Sequence, residues 1–105
     1  MLHMLERLPL EMVHGALIQV MKTGASGPRK WGAYMLGRQR RKADVPILTN
    51  ALSDPMPWVR AYAARALRMI GDKEAIRPLE ELKRREQDKE VLAYVDGALE
   101  ALRSL

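Results

Sequence analysis

The chain repeats itself about every 31 residues, and this limits its fold more than any other feature. The clearest copy is Trp58 to Asp72, WVRAYAARALRMIGD. Moved back by 31 positions, Arg60 falls on Arg29, Tyr62 on Trp31, Ala63 on Gly32, Ala64 on Ala33 and Leu67 on Leu36. Beyond that stretch Lys73 falls on Lys42, Ile76 on Val45 and Leu79 on Leu48. Moved forward by 32, Tyr62, Ala66, Leu67 and Ile70 fall on Tyr94, Ala98, Leu99 and Leu102. A fainter copy links Leu48 and Leu52 to Leu17 and Met21. A repeat of this length holds two helices. It cannot bury its apolar face alone, so successive copies stack into an α-solenoid.

The helices follow from spacing and punctuation. Val59, Ala63, Ala66, Leu67 and Ile70 make a narrow stripe of mostly small apolar side chains that lets another helix approach closely. Trp58, Tyr62, Arg65 and Met69 run down a second line, too large and too mixed to belong to the same surface. Gly71 predicts a left-handed stop and Asp72 an N-cap for the next helix. Pro9 to about Lys22 reads as a helix ended by Gly24, and Ser26-Gly27-Pro28 opens another through about Gln39. After a polar turn at Arg40 to Lys42, Ala43 to Ser53 is helical, and Asp54-Pro55 is expected to open the central helix. Asp72 starts a helix to about Glu86, and Asp88 caps the last one, to about Arg103. Met1 to Leu8 is a short helix or a frayed lead-in. Pro46 and Pro78 hold nearly equivalent places in two repeats, which predicts a repeated bend near a helix start. No strand pattern occurs.

Composition narrows the class. A chain of 105 residues, 48% hydrophobic and 30% charged, is expected to form one soluble domain with a real but thin core. With no Cys there is no disulfide framework and no thiolate ligand or nucleophile, which fits a cytoplasmic location. No apolar run reaches membrane-spanning length, and MLHMLERLP lacks the basic start and unbroken apolar stretch of a signal peptide. The net charge of +5 favours an acidic partner without choosing between protein, nucleic acid and anionic lipid.

The stretch DPMPWVRAYAARALRMIGDKEAIRPLEEL resembles a HEAT-like repeat of the kind named in phycobilin lyases. The matching residues are Val59, Arg60, Ala63, Ala64, Ala66, Leu67, Ile70, Gly71, Asp72, Ala75, Ile76, Pro78 and Leu79. The match thins to Arg29, Ala33, Leu36, Gly37, Val45 and Leu48 on one side and to Val91, Tyr94, Ala98 and Leu99 on the other. The resemblance implies an all-α fold, a short right-handed α-solenoid of about three HEAT-like hairpins. Its units are counted as 1–26, 27–53, 54–86 and 87–105, the first and last acting as caps. It further implies that the V-R-x-x-A-A helices line a concave face. The family mostly supplies binding scaffolds, with some lyases and DNA-repair glycosylases built from longer arrays.

On that assignment the groove carries Lys30, Trp31, Tyr34 and Arg38 from one helix, then Trp58, Tyr62, Arg65 and Met69 from the next, and Tyr94 from the third. All five aromatic residues of the chain sit on these helices. Rings beside guanidinium groups serve interface hot spots and base-stacking platforms alike. They equally serve as padding between repeats with their polar tips in solvent. Between Lys22 and Lys42 there are seven basic residues and no acidic one, so Arg40, Arg41 and Lys42 are either solvated surface or a contact for phosphate or an acidic protein. The mixed charges from Glu80 to Glu90 are expected to decorate an exposed face. Asp96, a carboxylate inside a groove helix at the place of a small core residue, is expected to cap or to pair with an Arg.

His3 and His14 have no second ligand at helical spacing, so no metal site is expected, and no cofactor motif is present. No phosphate loop, nucleophile elbow or groove carboxylate pair appears, and the chain is expected not to be an enzyme. Four of seven methionines, Met1, Met4, Met12 and Met21, fall in the first 21 residues. That end either folds back as an apolar cap or docks a partner or a second copy of the chain. The leading expectation is a scaffold or adaptor whose aromatic and basic groove holds an acidic helix or peptide. Nucleic-acid binding through the same groove and the 22–42 stretch is the alternative.

Overall fold

A computed structural model of the chain describes residues 10–105, with side chains from Met12 onward. The lead-in expected over Met1 to Leu8, the helix start at Pro9, His3 and the greater part of the Met-rich end lie outside the described residues. Among the described residues six α-helices succeed one another: α1 (Leu10–Thr23), α2 (Ser26–Gln39), α3 (Val45–Ala51), α4 (Pro57–Ile70), α5 (Ile76–Arg85) and α6 (Lys89–Arg103). No strand occurs among the described residues.

Local chemistry sets the ends. Gly71 closes α4 in the left-handed conformation, φ 74°, and its N–H donates to the Leu67 carbonyl at 3.1 Å. Arg40 closes α2 in the same conformation, φ 54°, where a side chain is disfavoured. Asp88 caps α6, its Oδ1 accepting from the N–H groups of Glu90 and Val91 at 2.9 and 3.1 Å. Asp72 accepts from the Glu74 N–H and leads into a 3-10 turn, Lys73–Ala75, ahead of α5. A matching 3-10 turn, Lys42–Asp44, precedes α3. Pro46 and Pro78 therefore fall in the first turn of α3 and α5, where the missing N–H would have had no helical partner. The repeated bend is the passage from 3-10 to α-helix.

The expected opening of the central helix is corrected. It begins at Pro57, preceded by an extended Met56, and no side chain caps it. Asp54 is engaged elsewhere: its Oδ2 and Oδ1 accept from Arg29 Nε at 2.7 Å and Nη2 at 3.1 Å, while Oδ1 also accepts from the Met56 N–H. A two-pronged guanidinium bond outcompetes a helix cap for the same carboxylate.

The helices form two layers. α2, α4 and α6 lie side by side along their lengths, whereas α1, α3 and α5 pack mainly on the helix that comes after each of them. The packed hairpins are thus α1/α2, α3/α4 and α5/α6, one helix out of phase with the units counted as 27–53 and 54–86. A repeat has no intrinsic starting point, so its period is unaffected. Small residues bring the inner layer together: a Cβ on Gly37 would lie 2.7 Å from the Ala66 Cα. Between the layers Leu36, Leu48, Leu67, Leu79, Leu99 and Leu102 are fully buried.

Two repeat-equivalent arginines tie successive hairpins together. Arg29 pairs with Asp54 as above, and Arg60 Nε and Nη2 reach Glu86 Oε1 and Oε2 at 2.6 and 2.9 Å. Arg60 Nη1 also donates to the Asp54 carbonyl at 2.8 Å. Glu86, expected on an exposed face, has a side chain only 4% exposed. Hydrogen bonds from Arg60 hold its carboxyl below the usual carboxylate range against the opposing effect of burial. For Asp54, burial pushes the carboxyl up, but the bonds from Arg29 and the Met56 N–H, with the charges of Arg29 and Arg60, outweigh it and leave it lowered. His14 is not isolated either. Its Nε2 lies 2.7 Å from Oδ1 of the buried Asp44, joining α1 to the turn before α3.

Candidate groove on the inner helix layer

The outward side of α2, α4 and α6 carries a connected series of rings. On α2, Trp31 and Tyr34 are three residues apart, hence neighbours on one helix face, and meet edge-on at 5.5 Å and 87°. Tyr34 meets Tyr62 of α4 at 6.2 Å, and Tyr62 meets Tyr94 of α6 at 6.3 Å. The course of the helices places the repeat-equivalent Tyr62 and Tyr94 beside one another, whereas Trp31, their equivalent on α2, joins the series through Tyr34. Trp31 and Tyr94 are exposed, and Tyr34 and Tyr62 half-buried. Trp58 stands exposed at the start of α4, outside the ring-to-ring series.

Cations are interleaved with the rings. Lys30 Nζ lies 5.7 Å from the Trp31 ring centre and 5.6 Å from that of Tyr62. The Arg38 and Arg65 guanidinium carbons lie 5.9 and 5.2 Å from the Tyr34 ring centre. Such contacts draw on the negative face of the ring and leave the N–H groups available to a ligand. Among the described residues none of Lys30, Arg38, Arg65 or Arg68 forms an ion pair. Among the described residues the arginines at the hairpin junctions are ion-paired, and those beside the ring series are not.

Two depressions lie along the seam between α4 and α6. One, about 290 Å³, is formed by Arg65, Arg68, Ala93, Tyr94 and Gly97. The other, about 350 Å³, has Lys30, Trp58, Tyr62, Asp88, Glu90 and Tyr94 among its walls. Tyr94 stands between them. Lys30, Trp31, Tyr34, Trp58, Tyr62, Arg65 and Tyr94 are thus brought together, with Arg38 beside Tyr34. Met69, half-buried near the end of α4, lines neither depression, and neither do Arg40, Arg41 and Lys42 at the corner leading out of α2. Arg68, Asp88 and Glu90 were missed by the sequence reading. Arg68 lies three positions after Arg65, so helical spacing alone would have found it. Asp96 pairs with a lysine, Lys83 Nζ at 2.9 Å, rather than with an arginine. No three His, Cys, Asp or Glu side chains among the described residues are grouped to hold a metal.

A family model for HEAT repeats matches residues 16–103. The chain belongs to the HEAT repeat family. No curated protein sequence matches it significantly. Among solved structures, these HEAT repeats are similar to human deoxyhypusine hydroxylase in complex with glycerol, with a TM-score of 0.77 and 25% identity. The match covers 89% of this chain and 33% of the hydroxylase chain, so the HEAT chain spans about a third of that protein's length. The expectation that the chain is not an enzyme is corrected by this neighbour: an enzyme is built on the same succession of helices. Fold and chemistry are separable in a repeat scaffold, so the lack of a catalytic motif in one stretch does not decide the class. No helix among the described residues is long and apolar enough to cross a membrane.

Proposed function

We propose that the groove on α2, α4 and α6 holds an acidic helix or extended peptide of a partner protein, making the chain a scaffold or adaptor module. The observation that carries this reading is the unbroken ring series from Trp31 to Tyr94 with unpaired cations set into it. Tyr and Trp supply rigid anchors at little entropic cost, and guanidinium groups pair with carboxylates to fix register. Having no Cys, such a module suits a reducing compartment such as the cytoplasm. The test is titration against the partner recovered on the tagged protein from its native extract. Tyr62→Ala or Arg65→Ala should weaken binding by about 1–3 kcal/mol while the far-UV spectrum stays unchanged. Unaltered affinity in both variants would remove the groove from the account.

A second reading, nucleic-acid binding, is favoured by Lys30 lying between the Trp31 and Tyr62 rings and by Arg40, Arg41 and Lys42 near the end of the groove helix α2. It requires binding to generic DNA or RNA that weakens steeply with salt and is lost uniformly when Arg40 or Arg41 is replaced. A gel shift at two salt concentrations separates the readings.

A further inference from the structure

The groove is not uniformly basic, and its charge changes sign along the α4–α6 seam. At one end the depression bounded by Arg65 and Arg68 has two guanidinium groups and no acidic residue in its walls. At the other end Asp88 and Glu90 face a single ammonium, that of Lys30, which is already held over the Trp31 and Tyr62 rings. Its walls thus hold two carboxylates against one ammonium, and since Asp88 Oδ1 also caps α6, Glu90 is the carboxylate left uncommitted at that end.

The physical origin of the gradient is the parallel course of the inner helices. Acidic residues suit helix N-termini and basic ones suit C-terminal turns. Asp88 and Glu90 stand at the start of α6, and Arg68 lies in the last turn of α4. Because the two helices run in the same direction, these preferences add along one trough instead of cancelling.

From this we infer that the bound partner segment is dipolar and lies along the seam in one direction only. Its acidic side chain sits against Arg65 and Arg68, a basic side chain against Asp88 and Glu90, and an apolar one over Tyr62 and Tyr94. Arg65 lies seven positions after Trp58 on α4, and Gly97 seven after Glu90 on α6, so the two subsites are about 10 Å apart. The acidic and basic residues of the partner are therefore about seven positions apart if it is helical and about three apart if it is extended. This inference rests on the peptide-binding reading above and sharpens it from an acidic segment to one with a charge at each end.

The test is selection of binders for the intact chain from a yeast-displayed library of random peptides of about 15 residues, some four helical turns. The expected winners carry Asp or Glu toward one end and Lys or Arg toward the other, at one of the two stated spacings. Arg65→Glu combined with Arg68→Glu should weaken these winners on the order of tenfold or more, and the same selection on that variant should exchange the acidic end for a basic one. Glu90→Lys should erase the preference for a basic residue while leaving the acidic preference in place. Winners that are acidic throughout, or that bind equally well in reversed sequence, overturn the dipolar arrangement and leave the peptide groove standing. An absence of any enriched binder overturns the peptide groove itself.

Discussion

Arg40 shows how a residue can be tolerated in a place its chemistry does not suit. It ends α2 in the left-handed conformation, at the position where the next repeat has Gly71. A Cβ crowds the adjoining carbonyl there, so Arg40→Gly is expected to stabilise the fold by about 0.5–1 kcal/mol despite the greater freedom of glycine in the unfolded chain. Equilibrium urea unfolding measures it. The reverse case is Gly37, whose missing side chain lets α2 approach Ala66 of α4. A methyl group 2.7 Å from a backbone carbon cannot be absorbed by a rotamer change, so Gly37→Ala should cost about 1–3 kcal/mol. Gly15→Ala, whose Cβ meets nothing within 4 Å, should instead gain up to about 1 kcal/mol from helix propensity. A similar shift in unfolding midpoint for these two variants would contradict the close approach.

At the scale of single elements, caps and turns decide where helices begin. Asp88 accepts two N–H bonds at the start of α6 and has no competing guanidinium within hydrogen-bonding reach among the described residues, unlike Asp54. Asp88→Ala should therefore lower stability by about 0.5–2 kcal/mol, read from the same unfolding curves, whereas Asp88→Asn should recover most of it. The contrast between these two aspartates explains one error of the sequence reading. Both precede a helix, and local spacing alone treats them alike. Arg29, distant in sequence, takes Asp54 for a junction between hairpins. The prolines were legible for the opposite reason: their effect on the backbone is local, and their recurrence in two repeats told which end of the helix they occupy.

Across the whole molecule, the paired junctions link stability to pH. Asp54 and Glu86 are held below the ordinary carboxylate range when folded, so at acid pH the unfolded chain binds more protons than the folded one. Their contribution is complete above about pH 5, where unfolded-chain carboxylates are also ionised, and is lost as pH falls through the lower folded values. Thermal midpoints should fall accordingly as the solution is taken from neutral to strongly acid pH. Glu86→Gln should be less stable at neutral pH and show a shallower acid decline, because Arg60 then keeps its place without a charged partner. A Glu86→Gln curve parallel to that of the parent would place the acid sensitivity elsewhere.

The sequence by itself determined the repeat period, most helix limits and the alignment of Trp31, Tyr62 and Tyr94 on equivalent helices. Each depends on near neighbours in the chain or on recurrence at a fixed interval. Only the tertiary structure decided which charges are spent and which are free. Arg29, Arg60, Asp54 and Glu86 are consumed at junctions spanning 25 or 26 positions, while Arg65 and Arg68 have no ionic partner among the described residues. Spacing along one helix reports which face a residue occupies. Whether an opposite charge stands across from it depends on how the next hairpin is stacked.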